Sequence, residues 1–134
     1  MKAKAPHLAV RVESHDDNGA QAAVAGTVDA HTFEKFQKAM TQLTEAGTRW
    51  IVIDLRRMTY IASVGINFLI NLRVQRRKVG GEVILVGPQP PVLKILKMLG
   101  LLEVLVVVAA PEEAWGQIKA KINPTGTAGV PLIE

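Results

Sequence analysis

The chain has 134 residues, is 49% hydrophobic and carries a formal charge of +4. That suits one domain with a buried core and is too apolar for disorder. It has no cysteine, which excludes a disulfide framework, thiol catalysis and a cysteine zinc site. With two tryptophans, one tyrosine and three phenylalanines, stacking platforms for single strands are scarce, so no direct nucleic-acid partner is expected.

The opening "MKAKAPHLAV" is basic but has no apolar run of the kind a secretory signal needs. Leu8, Val10 and Val12 alternate with Ala9 and Arg11, which predicts a half-buried strand over residues 7–14. "HDDNG", His15 to Gly19, is a turn, and "AQAAVAGTV" over 20–28 returns as a second strand in a hairpin with the first. Asp29 or Thr32 can cap a helix whose apolar stripe is Phe33, Phe36, Met40 and Leu43 and whose stop is Gly47. "RWIVIDL", Arg49 to Leu55, is a continuous apolar run of the kind found in buried parallel strands. A helix over about Ser63 to Val79, closed by Gly80 and Gly81, comes next, then a buried strand "EVILVG" from Glu82 to Gly87. Pro90 and Pro91 open a third helix with a stripe of Val92, Ile95, Leu96 and Leu99, and Gly100 stops it. "EVLVVV", Glu103 to Val108, reads as the last strand, and the apolar run it belongs to is far too short to span a bilayer. Pro111, Glu112 and Glu113 suit the first turn of a final helix, with Trp115, Ile118 and Ile122 facing inward. The expectation is a single domain over residues 1–122, a loose tail over 123–134, a cytoplasmic location and no membrane insertion.

The order is β-β-α-β-α-β-α-β-α. Alternation after the hairpin predicts right-handed βαβ crossovers and an α/β fold: a small, mixed, mostly parallel sheet of about five strands with flanking helices. Sites in such sheets lie beyond the carboxyl ends of strands, which directs attention to "DLRRMTYIASVGINFL", Asp54 to Leu69. On a helical wheel Asn67, Asn71, Gln75 and Lys78 form the wet line, while Gly65, Ile66, Leu69, Ile70 and Leu72 face the sheet. Gly65 allows close backbone approach. Arg73, Arg76 and Arg77 continue the buried side. The expectation is that they overhang the sheet and snorkel outward, complementing the helix C-terminus, rather than form a nucleic-acid patch. Val64 and Phe68 beside Ser63 make a small apolar fringe suited to docking.

Ser63 admits three readings. As a helix cap its oxygen would accept a backbone N–H, worth about 1 kcal/mol. As a nucleophile it would need a base and an oxyanion hole. There is no G-x-S-x-G elbow, and no motif ties His7, His15 or His31 to it. The remaining acidic cluster, Asp16-Asp17 beside His15, lacks a fourth ligand at metal-site spacing. Neither a metal, another cofactor nor an enzyme is expected. As a phosphoacceptor, Ser63 would place phosphate among free N–H groups at a helix N-terminus and add nearly two charges to an apolar docking fringe.

Asp54-Leu55, Ser63-Val64-Gly65-Ile66, Gly80-Gly81, Gly87-Pro88 and Gly100-Leu101 occur in that order, and together they resemble the STAS family of anti-sigma factor antagonist domains. The similarity extends to "GTVDAHTFEKFQKAM" upstream and "PEEAW" downstream. It implies a STAS-like sheet with helices alongside, and a partner switch. In such a switch the unphosphorylated antagonist binds an anti-sigma factor, usually a serine kinase; phosphorylation at the helix start breaks the complex; and a phosphatase resets it. The resemblance puts the phosphoacceptor at Ser63 and the partner-binding surface at Ala62, Val64, Gly65, Asn67 and Phe68. The family's acidic residue before the serine is Ala62 here, and its second hydroxyl is Val64. That loss motivates an alternative: a constitutive interaction module, as scaffold subunit or accessory of a lipid-transport complex, in which Ser63 is only a cap.

Overall fold

A computed structural model describes residues 7–123. The elements in chain order are β1 (Leu8–His15), β2 (Gly19–Val28), α1 (Phe33–Glu45), β3 (Trp50–Ile61), α2 (Ser63–Lys78), β4 (Glu82–Val86), α3 (Pro90–Met98), a short 3-10 helix (Leu101–Glu103), β5 (Val106–Val108) and α4 (Pro111–Ile122). The strands form one five-stranded sheet in the order β1-β2-β3-β4-β5. β1 and β2 pair antiparallel, and the other neighbours pair parallel. This is the α/β architecture expected from periodicity. The part of the tail beyond Asn123 lies outside the described residues.

Alternation along the central strands divides the core in two, because successive side chains leave opposite faces of a strand. Ile51, Ile53 and Leu55 of β3 and Val83 and Leu85 of β4 join Phe36 and Met40 of α1, Leu69 and Leu72 of α2 and Val92 and Leu96 of α3. Trp50, Val52, Ile84 and Val86 point the other way, onto Ala114 and Ile118 of α4. Both layers draw on β3 and β4, which explains why these strands read as unbroken apolar runs.

Several sequence expectations are corrected. β3 does not end near Leu55 but continues to Ile61. Its second half pairs only with β2, from Ala25↔Arg57 to Val28↔Ile61, after a register shift between Ala23 and Ala25 and through another between Gly26 and Thr27. Those irregularities break the period-two pattern, and Arg56, Arg57, Thr59 and Tyr60 are exposed, so the segment carries no clean strand signal. β5 is shorter than Glu103–Val108, because β4 presents Ile84, Leu85 and Val86 as its partners and no more. Residues 101–105 instead turn back on themselves, with the N–H groups of Val104 and Leu105 both donating to the Leu101 carbonyl. In α3 Val92 and Leu96 are buried but Leu99 is 58% exposed, outside the stripe assigned to it. In α4 Ile118 is buried, Trp115 is half-buried and Ile122 is exposed.

Two of the three arginines of α2, Arg73 and Arg76, turn inward instead of snorkelling out, whereas Arg77 stays exposed as expected. Glu82 opens β4 with 1% exposure. Its carboxylate accepts from Arg73 Nε at 2.6 Å and Nη2 at 3.0 Å, from Arg77 Nη1 at 3.2 Å and from the Val83 N–H at 3.0 Å. Arg73 also donates to the Val104 carbonyl, and Arg76 donates to that of Thr48. Burial pushes the Glu82 carboxyl upward, but hydrogen bonds from Arg73 and Val83 and the two nearby cations outweigh it, and the group is held below its ordinary value. The C-terminal turns of α2 are thus clamped to β4, the β5 approach and the β3 approach. The clamp fixes one end of α2, and Ser63 stands at the other.

Candidate functional site

Ser63 stands directly beyond the carboxyl end of β3. The strand's last residue, Ile61, is buried, and the Ala62 N–H donates to the Val28 carbonyl at 2.8 Å, tying the junction to the end of β2. The Ala62 carbonyl accepts from Gly65 at 2.9 Å and Ile66 at 3.1 Å, which starts the helix. Ala62, extended at φ −85° and ψ 167°, is therefore the N-cap, and Ser63 is the first helical residue. An alanine at the cap has no side-chain oxygen, and no side-chain cap hydrogen bond forms. The expectation that Ser63 caps α2 is overturned. Ser63, one position past the cap, is already in helical conformation and does not take the N-cap role. Its hydroxyl is exposed with no structural task at the cap.

The structure sorts the expected partner-binding residues by exposure. Val64 is 39% exposed and Asn67 is exposed, whereas Ala62 and Phe68 are half-buried. Phe68 is held edge-on to Phe33 at 5.7 Å and Phe36 at 5.6 Å between ring centres. The apolar fringe is thus rigid, pinned by α1. Gly65 is buried and is not a contact residue: a Cβ there would stand 2.8 Å from Val28 Cγ1 and 2.9 Å from Ile61 Cγ1. Its role is the close approach of α2 to the sheet. Beyond Phe68 a hollow of about 250 Å³ runs between α1 and α2, lined by Thr41, Thr44, Asn71, Leu72, Gln75 and Arg76. It continues the exposed line of Asn67, Asn71 and Gln75 away from Ser63.

None of the side-chain hydrogen bonds among the described residues joins Ser63 to a histidine. His31 belongs to the Asp29–Thr32 turn, where its N–H donates to Asp29 Oδ1. His15 is exposed and stacks on Trp115 at 4.0 Å, at the amino ends of the parallel strands and away from Ser63. Among the described residues no group of three acidic or histidine side chains is placed to hold a metal ion. Asp54, the acid of the Asp-Leu pair, is structural. Its carboxylate takes Nε and Nη2 of Arg56 at 2.9 and 2.8 Å and the Arg56 N–H at 3.0 Å. The hydrogen bond from the Arg56 side chain holds its carboxyl below the usual range, overcoming burial. The Arg56 carbonyl then accepts from Gln89, fixing the entry to α3.

Sequence reasoning missed the Glu82 clamp on the C-terminal turns of α2. A signal existed: a glutamate opening an otherwise apolar strand, "GGEVILV", has to find a cation, and three arginines end the preceding helix.

Residues 10–114 match the family described as STAS domain. The chain is 28% identical over 101 residues to a candidate anti-sigma factor antagonist, BtrV, of Bordetella bronchiseptica, covering 75% of this chain and 87% of that protein. Its fold is similar to that of an anti-sigma factor antagonist from Mycobacterium paratuberculosis, with a TM-score of 0.75 at 21% identity over 84% of this chain and 94% of that one. It is also similar to the antagonist SpoIIAA in its unphosphorylated form, with a TM-score of 0.71 at 21% identity over 84% and 97%. The phosphorylated form of SpoIIAA, a Bacillus cell fate determinant, gives 0.64 at 22% over 82% and 99%.

Proposed function

The chain belongs to the STAS domain family, and from that premise we propose that it is a non-catalytic regulator of the anti-sigma factor antagonist type, controlled by phosphorylation of Ser63. In this reading it acts in a bacterial partner-switching pathway in the cytoplasm. It binds a kinase-type anti-sigma factor through Val64, Asn67, Phe68 and the edge of Ala62. Phosphate on Ser63 breaks the contact, and a phosphatase restores it.

The observation that carries this reading is the position of Ser63: exposed, first in its helix, and relieved of capping by Ala62. The amides at the start of α2 and the positive end of its dipole favour a phosphate there. The same phosphate would set nearly two negative charges beside Val64 and Phe68, which is unfavourable for an apolar contact. SpoIIAA, a protein of similar fold, exists in phosphorylated and unphosphorylated forms, which supports a switch of this type.

The deciding experiment incubates the protein with its cognate kinase and ATP, maps phosphate by mass spectrometry, and compares partner binding by wild type, Ser63→Ala and Ser63→Asp. The expected result is phosphate on Ser63, retained binding by the alanine variant and loss of binding by the aspartate variant. An unmodified Ser63 together with unchanged binding by Ser63→Asp would sink the switch. Ala62 and Val64, in place of an acid and a hydroxyl, favour a second reading, a constitutive module recruited to a scaffold or transport complex. Capture of such subunits instead of a kinase supports it. In that module Ser63 is a bystander, since it is not the cap.

A further inference from the structure

The turn that joins α3 to β5 carries apolar side chains that the described residues leave exposed. Met98 is 74% exposed, Leu99 58%, Val104 41% and Leu102 39%. All four fall within seven consecutive residues, folded tightly by Gly100 at φ +70° and by the 3-10 helix. Met98 and Leu99, the most exposed of the four, form an apolar knob at the tip of α3. Leu99 is telling, because helical spacing assigns it to the buried stripe with Val92 and Leu96, yet α3 ends one residue earlier and the chain turns it outward.

The knob is bordered by positive charge. Lys94 and Lys97 are exposed on α3. Arg73 reaches the turn itself, donating to the Val104 carbonyl at 2.7 Å, and brings with it the basic end of α2. Two arginines there share the single carboxylate of Glu82, so that cluster keeps a net positive charge. Glu103 is the one acid within the turn.

We propose that this turn docks the protein on an anionic membrane surface, with Met98 and Leu99 entering the headgroup layer and Lys94 and Lys97 lying against lipid phosphates. Three arguments select this occupant. A deformable interface accepts an apolar knob without a complementary groove. The lysine stems can lie along the apolar turn while their ammonium groups stay at headgroup level. A second copy seated on the same patch would bring Lys94 and Lys97 against their own duplicates. The direction of the chain gives the contact a consequence. The knob leads into the start of β5, at the amino ends of the parallel strands, whereas Ser63 stands beyond their carboxyl ends. Docking would hold the protein at a surface and leave the Ser63 face free. The inference does not depend on phosphorylation.

The test is flotation of the full chain with vesicles of phosphatidylcholine alone or mixed with phosphatidylglycerol, with light scattering on the same samples. Binding is expected for the anionic vesicles, falling as salt is raised. Lys94→Gln and Lys97→Gln should each weaken it about fivefold. The double variant Met98→Ser with Leu99→Ser should abolish it while circular dichroism and melting stay native. Absence of binding to anionic vesicles overturns the proposal, as does binding that the serine variant leaves unchanged. Self-association removed by the serine variant, without vesicle binding, would overturn it in favour of a second copy.

Discussion

Replacing Glu82 by glutamine should destabilise the whole domain through a single buried carboxylate. The residue is 1% exposed, and its main partner, Arg73, has a side chain only 20% exposed, so this is a buried charge pair and not a surface one. Breaking such a pair from one side costs about 3–5 kcal/mol, because the surviving charge stays buried. Glutamine still accepts one N–H from Arg73, which places the expected loss near the lower end, about 3 kcal/mol. Arg77 adds little: its side chain is 56% exposed, and solvent screening keeps such an arm below about 1 kcal/mol. For a domain of this size the Tm should fall by roughly 10 °C. The pH dependence gives a second readout. The folded Glu82 carboxyl lies below its ordinary value, so its contribution is fully present above the unfolded carboxylate pKa, about 4.3, and is lost as pH falls through the lower folded value. The gap between wild type and Glu82→Gln should therefore be widest near neutrality and close under acid conditions. Thermal melts followed by circular dichroism across that range measure both. A Tm change within about 2 °C at neutral pH, or a gap that persists unchanged into acid, would refute the assignment of Glu82 as the electrostatic anchor of α2. The double variant Arg73→Met with Glu82→Leu should recover part of the loss, since an apolar pair carries no stranded charge.

The start of α2 offers two further checks. Ser63→Ala should leave stability within about 0.5 kcal/mol, whereas loss of a true cap would cost about 1 kcal/mol. Ala62→Asp installs the missing cap and should raise stability by about 1 kcal/mol, both read from chemical denaturation. Gly65→Ala gains about 1 kcal/mol of helix propensity. Its Cβ, however, meets Val28 and Ile61 at under 3 Å, where neither buried chain can swing aside, and overpacking costs about 1–3 kcal/mol. A net loss of roughly 1 kcal/mol is expected, together with weakened partner binding as α2 lifts. A stabilised Gly65→Ala would show that the approach is looser than the geometry indicates.

Local periodicity determined much of this protein. Alternation and turn chemistry placed the β1–β2 hairpin, and continuous apolar runs marked β3 and β4 as strands covered on both faces. The wet line of Asn67, Asn71, Gln75 and Lys78 is exposed as the wheel requires, and Gly65 lies where a close approach needs it. These features are legible because each depends on neighbours within a few residues. The rest required the tertiary structure. The length of β3 depends on which residues of β2 pair with it across two bulges, and the length of β5 on how many residues β4 presents. Neither is a property of the strand's own sequence. The inward turn of Arg73 and Arg76 depends on a carboxylate and two carbonyls brought from other elements. At the start of α2 the sequence left open whether Ser63 is the cap, and the backbone conformation of Ala62 answered that. Because Ala62, not Ser63, takes the extended cap conformation, the hydroxyl at the head of α2 is left exposed and has no capping bond to hold it.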